Sequence, residues 1–226
     1  FNYSTEAITF GTSLSVGRDN SSGCGNATAG LTMGGFTVTA LASTELYTYA
    51  TDAVAAGGNM ISGSSDGAGQ GNAAVIIYYG GTAGTIQQYT YATNTFAAVA
   101  TAILAPRTRS PGSFGNSALA WFIYGIGVAA AQVDTIDQYN YTSRSVVAVG
   151  NVLPHNFHPS AFGDLIFPCR ATNNPNNAIA WTMYSGGPPF WLQRVNLTTL
   201  TSSYTTQPSA VQNWAAGLSS QPGNYT

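Results

Sequence analysis

Few residues in this chain can do chemistry, and their spacing limits what kind. The two histidines, His155 and His158, share one His-Asn-Phe-His run. A zinc site draws three or four ligands from His, Cys and carboxylates, and this pair brings no further histidine with it. His155 also follows Val152-Leu-Pro as Arg107 follows Leu104-Ala-Pro, which gives it a loop role. Asp134 and Asp137 are three apart on the approach to a strand, so they face opposite sides. Acid–base hydrolysis instead needs two carboxylates at a controlled separation. Glu6, Asp19, Glu45, Asp52, Asp66 and Asp164 are scattered singly. Gly63-Ser-Ser-Asp-Gly67 is read as failing the Gly-x-Ser-x-Gly pattern of a serine elbow. The glycine-rich Gly67-Ala-Gly-Gln-Gly71 has no following helix or lysine to cradle phosphate. No catalytic residue, metal ligand or cofactor is therefore assigned.

The remaining candidates are sites of modification and binding. Cys24 and Cys169 are the chain's two cysteines. They are compatible with one disulfide in an oxidising compartment; two separate thiols, or bonds to other chains, fit as well. Six asparagines begin Asn-x-Ser/Thr acceptors for N-glycosylation: Asn2, Asn20, Asn26, Asn140, Asn196 and Asn224. An Asn- and Thr-rich chain produces some by composition alone. Asn2, Asn140 and Asn196, however, fall at one place in a repeat, between paired aromatic or apolar residues. Strand alternation would turn all three away from a tyrosine-lined core. Trp181, Phe190, Trp191 and Trp214 gather late in the chain around Pro188-Pro189. They read either as an aromatic platform for sugars or as core filling.

Composition narrows the partners. Charged residues make up only 6% of the 226 residues and the net charge is −2, against about a quarter charged in an average protein. Six Lys plus Arg cannot neutralise a phosphate backbone, which disfavours nucleic acid. No stretch approaches the roughly 18 apolar residues of a membrane helix. Aromatic and β-branched residues are plentiful, so the chain folds rather than staying disordered. With so little charge to keep copies apart, it either gains hydration from glycans or is built to assemble.

These residues must be positioned by short strands, because the sequence repeats itself. Gly25-Asn26, Gly71-Asn72, Gly115-Asn116, Asn176-Asn177 and Gly223-Asn224 recur along the chain, and an apolar run ending in glycine follows each of the first four. Tyr47-Thr-Tyr49, Tyr89-Thr-Tyr91 and Tyr139-Asn-Tyr141 then repeat, with a degraded Val195-Asn-Leu197 and an isolated Phe1-Asn-Tyr3. A period of about 45–50 residues built of strands is the mark of a propeller blade. Ala73–Tyr79 and Ala118–Tyr124, apolar at nearly every position, predict inner strands covered on both faces. Gly80-Gly81 predicts a tight turn with positive φ, and Thr85–Tyr91 alternates as a half-buried strand does. Helix signals are nearly absent.

The apolar strand ending in Gly-Gly, then Ile-x-x-Tyr-x-Tyr, then Leu-x-Pro-Arg resembles kelch-type β-propeller repeats. Thr135-Ile-Asp137 with Tyr139, and Cys24 through Gly35, resemble the degenerate kelch-like repeats of large viral and environmental surface proteins. The resemblance implies a propeller across the whole chain. Kelch propellers include copper radical oxidases, but those need several Tyr and His ligands and a Cys–Tyr cross-link, which two adjacent histidines do not meet. Gly125-Ile-Gly127 breaks the paired glycine, and no tryptophan follows the second strand.

The expectation is one all-β domain over 1–226, a β-propeller of four to five kelch-like blades with an incomplete terminal blade. Its repeat units run approximately 1–25, 26–71, 72–115, 116–176 and 177–226. Residues 1–8 lack an apolar Gly-Gly strand, and the chain stops where the next such strand would begin. Pairing through the terminal segments is therefore expected, since open sheet edges recruit strands. The function expected is a non-catalytic structural subunit of an extracellular or cell- or virion-surface assembly, a fibre, appendage or coat, carrying glycans. The alternative is a carbohydrate- or protein-binding propeller module.

Overall fold

The computed structural model describes residues 11–81, 85–99, 112–123 and 135–149 in full, and by backbone alone 107–109, 126–127, 170–174, 179–184, 191–196 and 202–205. Every regular element among them is a strand, and the strands form successive antiparallel meanders. The first sheet holds β1 (Ser22–Gly25), β2 (Ala29–Met33), β3 (Thr44–Thr48) and β4 (Ala53–Ala56) in that order. The second holds β5 (Gly67–Gly71), β6 (Val75–Gly80), β7 (Thr85–Thr90) and β8 (Thr95–Ala98). A two-stranded ribbon pairs β9 (Arg107–Arg109) with β12 (Ile126–Gly127). The third sheet holds β10 (Gly112–Gly115), β11 (Leu119–Ile123), β13 (Ile136–Asn140) and β14 (Ser145–Ala148). The fourth holds β15 (Arg170–Asn174), β16 (Ile179–Tyr184), β17 (Trp191–Asn196) and β18 (Ser202–Thr205).

The apolar runs are buried on both faces, as their pattern requires. On β6 the even positions Ile76 and Tyr78 join Leu31, Met33, Met60 and Tyr89 between the first and second sheets. The odd positions Ile77 and Tyr79 join Ala120, Phe122 and Tyr139 between the second and third. The Tyr79 and Phe122 rings stack there at 4.5 Å. Gly80 and Gly81 turn with φ of +80° and +72°, which a side chain would resist.

These runs are not the innermost strands, and that expectation is corrected. Each is the second strand of its sheet. The strands that meet from sheet to sheet are the first ones: β1 against β5, β5 against β10, β10 against β15. The glycine-rich run Gly67–Gly71, which offers no apolar pattern to mark a strand, is β5 itself. Its glycines serve close approach. A Cβ on Gly69 would strike the Met33 methyl and sit 3.2 Å from Ser22 Oγ and 3.5 Å from Cys24 Cβ. The recurrent Gly-Asn pairs close the turn between first and second strands, so each sheet begins one strand before the sequence repeat does.

Candidate functional site

The polar residues of the repeat are gathered at the seams of the sheets, and two sets of contacts recur. The first set lies at the Gly-Asn turns. Asn26 Oδ1 accepts from the backbone N–H of Thr28 and Ala29, each at 2.9 Å. Asn72 does the same with Ala74 and Val75, and Asn116 with Ala118 and Leu119. Each is an Asx turn, the local structure asparagine favours. The amide end then crosses to the next sheet. Asn26 Nδ2 donates to the Ala73 carbonyl at 3.0 Å, and Asn72 Nδ2 to the Ser117 carbonyl at 3.1 Å. One side chain thus closes its own turn and fastens the neighbouring turn.

The second set flanks the tyrosine pairs. Glu45, Gln87 and Asp137 each stand two residues before a Tyr-x-Tyr, on β3, β7 and β13, and are 4%, 1% and 0% exposed. Seven residues after each comes Asp52, Asn94 or Arg144, all with φ near +50°. The segment entering the first sheet donates Ser15 N–H to Glu45 and Thr12 N–H to Asp52, at 2.6 and 3.1 Å. The segment entering the second donates Ile61 N–H to Gln87 and Gly58 N–H to Asn94, each at 2.7 Å. Both segments donate from residues three apart. Tyr47 and Tyr89 complete the arrangement by donating their hydroxyls to Asp52 and Asn94.

Arg18 adds the described residues' buried ion pair. Its Nη2 lies 2.8 Å from Glu45 Oε2, with side chains only 1% and 5% exposed. Nη1 donates to the carbonyls of Gly34 and Ser43. Burial pushes the Glu45 carboxyl up, but the Ser15 hydrogen bonds and the Arg18 guanidinium outweigh it and hold its pKa below the ordinary 4.5. Asp137 sits in the third sheet and accepts from the Tyr79 hydroxyl of the second.

A thiol and several phenols sit near the first strands. Cys24 and Tyr91 both pack against the buried cluster of the first seam. Burial, moderated by the Gly25 and Gly71 backbone, raises its pKa to about 12. A thiol held protonated in this way is a poor nucleophile and a poor metal ligand at neutral pH. Burial also raises the phenols of Tyr91 and Tyr141, which keeps them from acting as bases. Among the described residues no group of three or more His, Cys, Asp and Glu is arranged to hold a metal ion.

The sequence-derived candidates fall out as follows. Cys24 is a free thiol, while Cys169 lies outside the described residues. Asn26 is 7% exposed with its amide nitrogen engaged, so the folded chain has no room for a glycan there, a correction to that candidate. Asn20 is exposed, and Asn140 is half-buried. Asn196 ends β17. Asn2, Asn224, His155, His158 and the terminal segments lie outside the described residues. Trp181 pairs with Arg194, and Trp191 with Tyr184, three register steps away along the same two strands. Phe190 and Trp214 lie outside the described residues. Gly63-Ser-Ser-Asp-Gly67 does match Gly-x-Ser-x-Gly in its letters, but Ser65 is 2% exposed and the run leads into β5 rather than a helix. The elbow needs a strand-to-helix turn. Sequence reasoning missed Glu45, Gln87 and their partners. The signal was present as Glu/Gln/Asp-x-Tyr-x-Tyr-x-x-Asp/Asn/Arg, three times over.

No protein-family model matches the chain, and no curated protein matches it. The solved structure of YjhT does match. Its TM-score is 0.67 at 10% identity, over 87% of this chain and 67% of that one. At such identity the likeness concerns the fold alone: the chain is all-β, built of successive four-stranded antiparallel sheets.

Proposed function

We propose that the chain is a β-propeller of four to five kelch-like blades. In this reading it serves as a non-catalytic structural subunit of an extracellular or surface assembly. One observation carries the reading. The repeated polar side chains that could have faced a substrate, Asn26, Asn72, Glu45, Gln87, Asp52 and Asn94, are instead used to fasten sheet to sheet and segment to sheet. Only 6% of the residues are charged, and the described connecting segments carry exposed apolar side chains: Val38 is 89% exposed and Ile61 57%. A surface of this kind associates readily with copies of itself. Self-association through the terminal segments and glycans on the outer face belong to the same proposal.

Negative-stain microscopy and sedimentation velocity on material from the native source test it. Filaments or regular arrays are expected. Isolated particles that stay monomeric across the accessible concentration range would overturn the assembly reading in favour of a monomeric binding module.

A further inference from the structure

The three glycosylation acceptors whose side chains the structure describes are not equivalent, and the geometry points to Asn20 and Asn140 as modification sites and rules Asn26 out. This inference rests on the surface reading above, since the modification needs a secretory compartment.

The transfer is made onto an asparagine Nδ2. The donor is an oligosaccharide joined through a pyrophosphate to a lipid. A bond forms between Nδ2 and C1 of the first sugar, and the bond from C1 to the pyrophosphate oxygen breaks. The lipid pyrophosphate leaves with that electron pair, and one amide proton is lost to base. The product must then fit a folded chain, so the question at each site is what Nδ2 and its surroundings are already doing.

At Asn26 the nitrogen donates to the Ala73 carbonyl across the first seam, and the residue is 7% exposed. The first sugar would have to occupy the space between two sheets and displace that bond. Asn140 presents the same local turn, with no such crossing among the described residues. Its Oδ1 accepts from Thr142 and Ser143 N–H at 2.9 and 3.0 Å. The turn it closes, residues 142–144, is exposed throughout. The carbonyl end of the side chain is thus held by the backbone, and Nδ2 is the end left for a substituent. Thr142, the acceptor's hydroxyl residue, is itself on that exposed turn. Asn20 is exposed in the segment leading to β1; what the fold takes from it is its backbone carbonyl, which accepts from Asp66 N–H. A sugar on either side chain projects from the molecule.

The experiment has two arms. In the first, the full chain is directed through the secretory pathway of a eukaryotic host, and the folded, monodisperse fraction is collected. Peptides are mapped after enzymatic deglycosylation in heavy-oxygen water, which marks each formerly modified asparagine. Marked Asn20 and Asn140 with unmarked Asn26 are expected. Thr142→Ala should remove one glycan from the intact mass without altering the thermal transition, because the Asn140 turn uses only the backbone of residue 142. A marked Asn26 in the folded fraction, or an unmarked Asn140, overturns the inference. In the second arm the same mapping is applied to natively sourced protein. If it is bare while the secreted chain is modified at Asn20 and Asn140, the surface reading fails and the division between sites stands.

Discussion

Arg18 and Glu45 show what a charge does in a chain that has so few. Both side chains are almost fully covered, so the pair forgoes hydration. It is stable because the Glu45 carboxylate also accepts from Ser15, and Arg18 also donates to two carbonyls. Removing one partner is costly, because the other stays behind as a buried, unmatched charge. Glu45→Gln should therefore cost about 3 kcal/mol at neutral pH. The sign of the pH dependence follows from the depressed pKa. A carboxyl whose folded pKa is lowered contributes stability in full above its unfolded value, ordinarily 4.5, and loses it as pH falls through the folded value. The stability gap between the natural chain and Glu45→Gln, read by urea denaturation across a pH series, should narrow below pH 4.5. A gap that stays constant to the lowest accessible pH would show that the carboxylate is not what the pair contributes.

The turn between first and second strands is the element where sequence and structure agree most directly. Gly-Asn followed by an apolar run was legible as a recurring mark, and each such pair closes that turn. The Asn amide crossing to the next sheet was not legible, because nothing local in a sequence reports a partner 45 or 47 residues away. The same limit applied to Asp137, whose partner Tyr79 is 58 residues off. It also explains the misplaced inner strand. Burial on both faces looks alike for a first or a second strand. A glycine strand that owes its packing to Met33, Ser22 and Cys24 of the neighbouring sheet looks like a loop when read alone. The two halves of the asparagine contact can be separated by substitution. Asn→Asp keeps the acceptor that closes the turn and replaces the donor with a second acceptor facing a carbonyl. At buried Asn26 this should cost about 3 kcal/mol or more, and at half-buried Asn72 about 1 kcal/mol. Equal losses at the two sites in chemical denaturation would remove the distinction between a buried and a half-buried fastening.

At the scale of the whole molecule, stability and association draw on different parts of the sequence. The interior is fixed by interleaved aromatics, from the Tyr79–Phe122 stack to Phe114 against Trp121, where the ring centroids are 5.7 Å apart. The exterior was legible only as a composition: 6% charged residues, and Thr, Ser, Asn and Gly in place of Lys and Glu. That composition says how copies would meet even though it does not say where. Contacts between charged surfaces weaken as salt shortens the screening length from about 10 Å at 0.1 M to about 3 Å at 1 M. Contacts between neutral polar and apolar surfaces do not, and sulfate strengthens them by being excluded from the protein surface. Self-association of this chain should therefore be unchanged by sodium chloride over that range and promoted by ammonium sulfate below the precipitation point. Sedimentation velocity at fixed protein concentration reads both. A monomer fraction that rises steeply with sodium chloride would mean that the few charges, and not the neutral surface, hold the copies together.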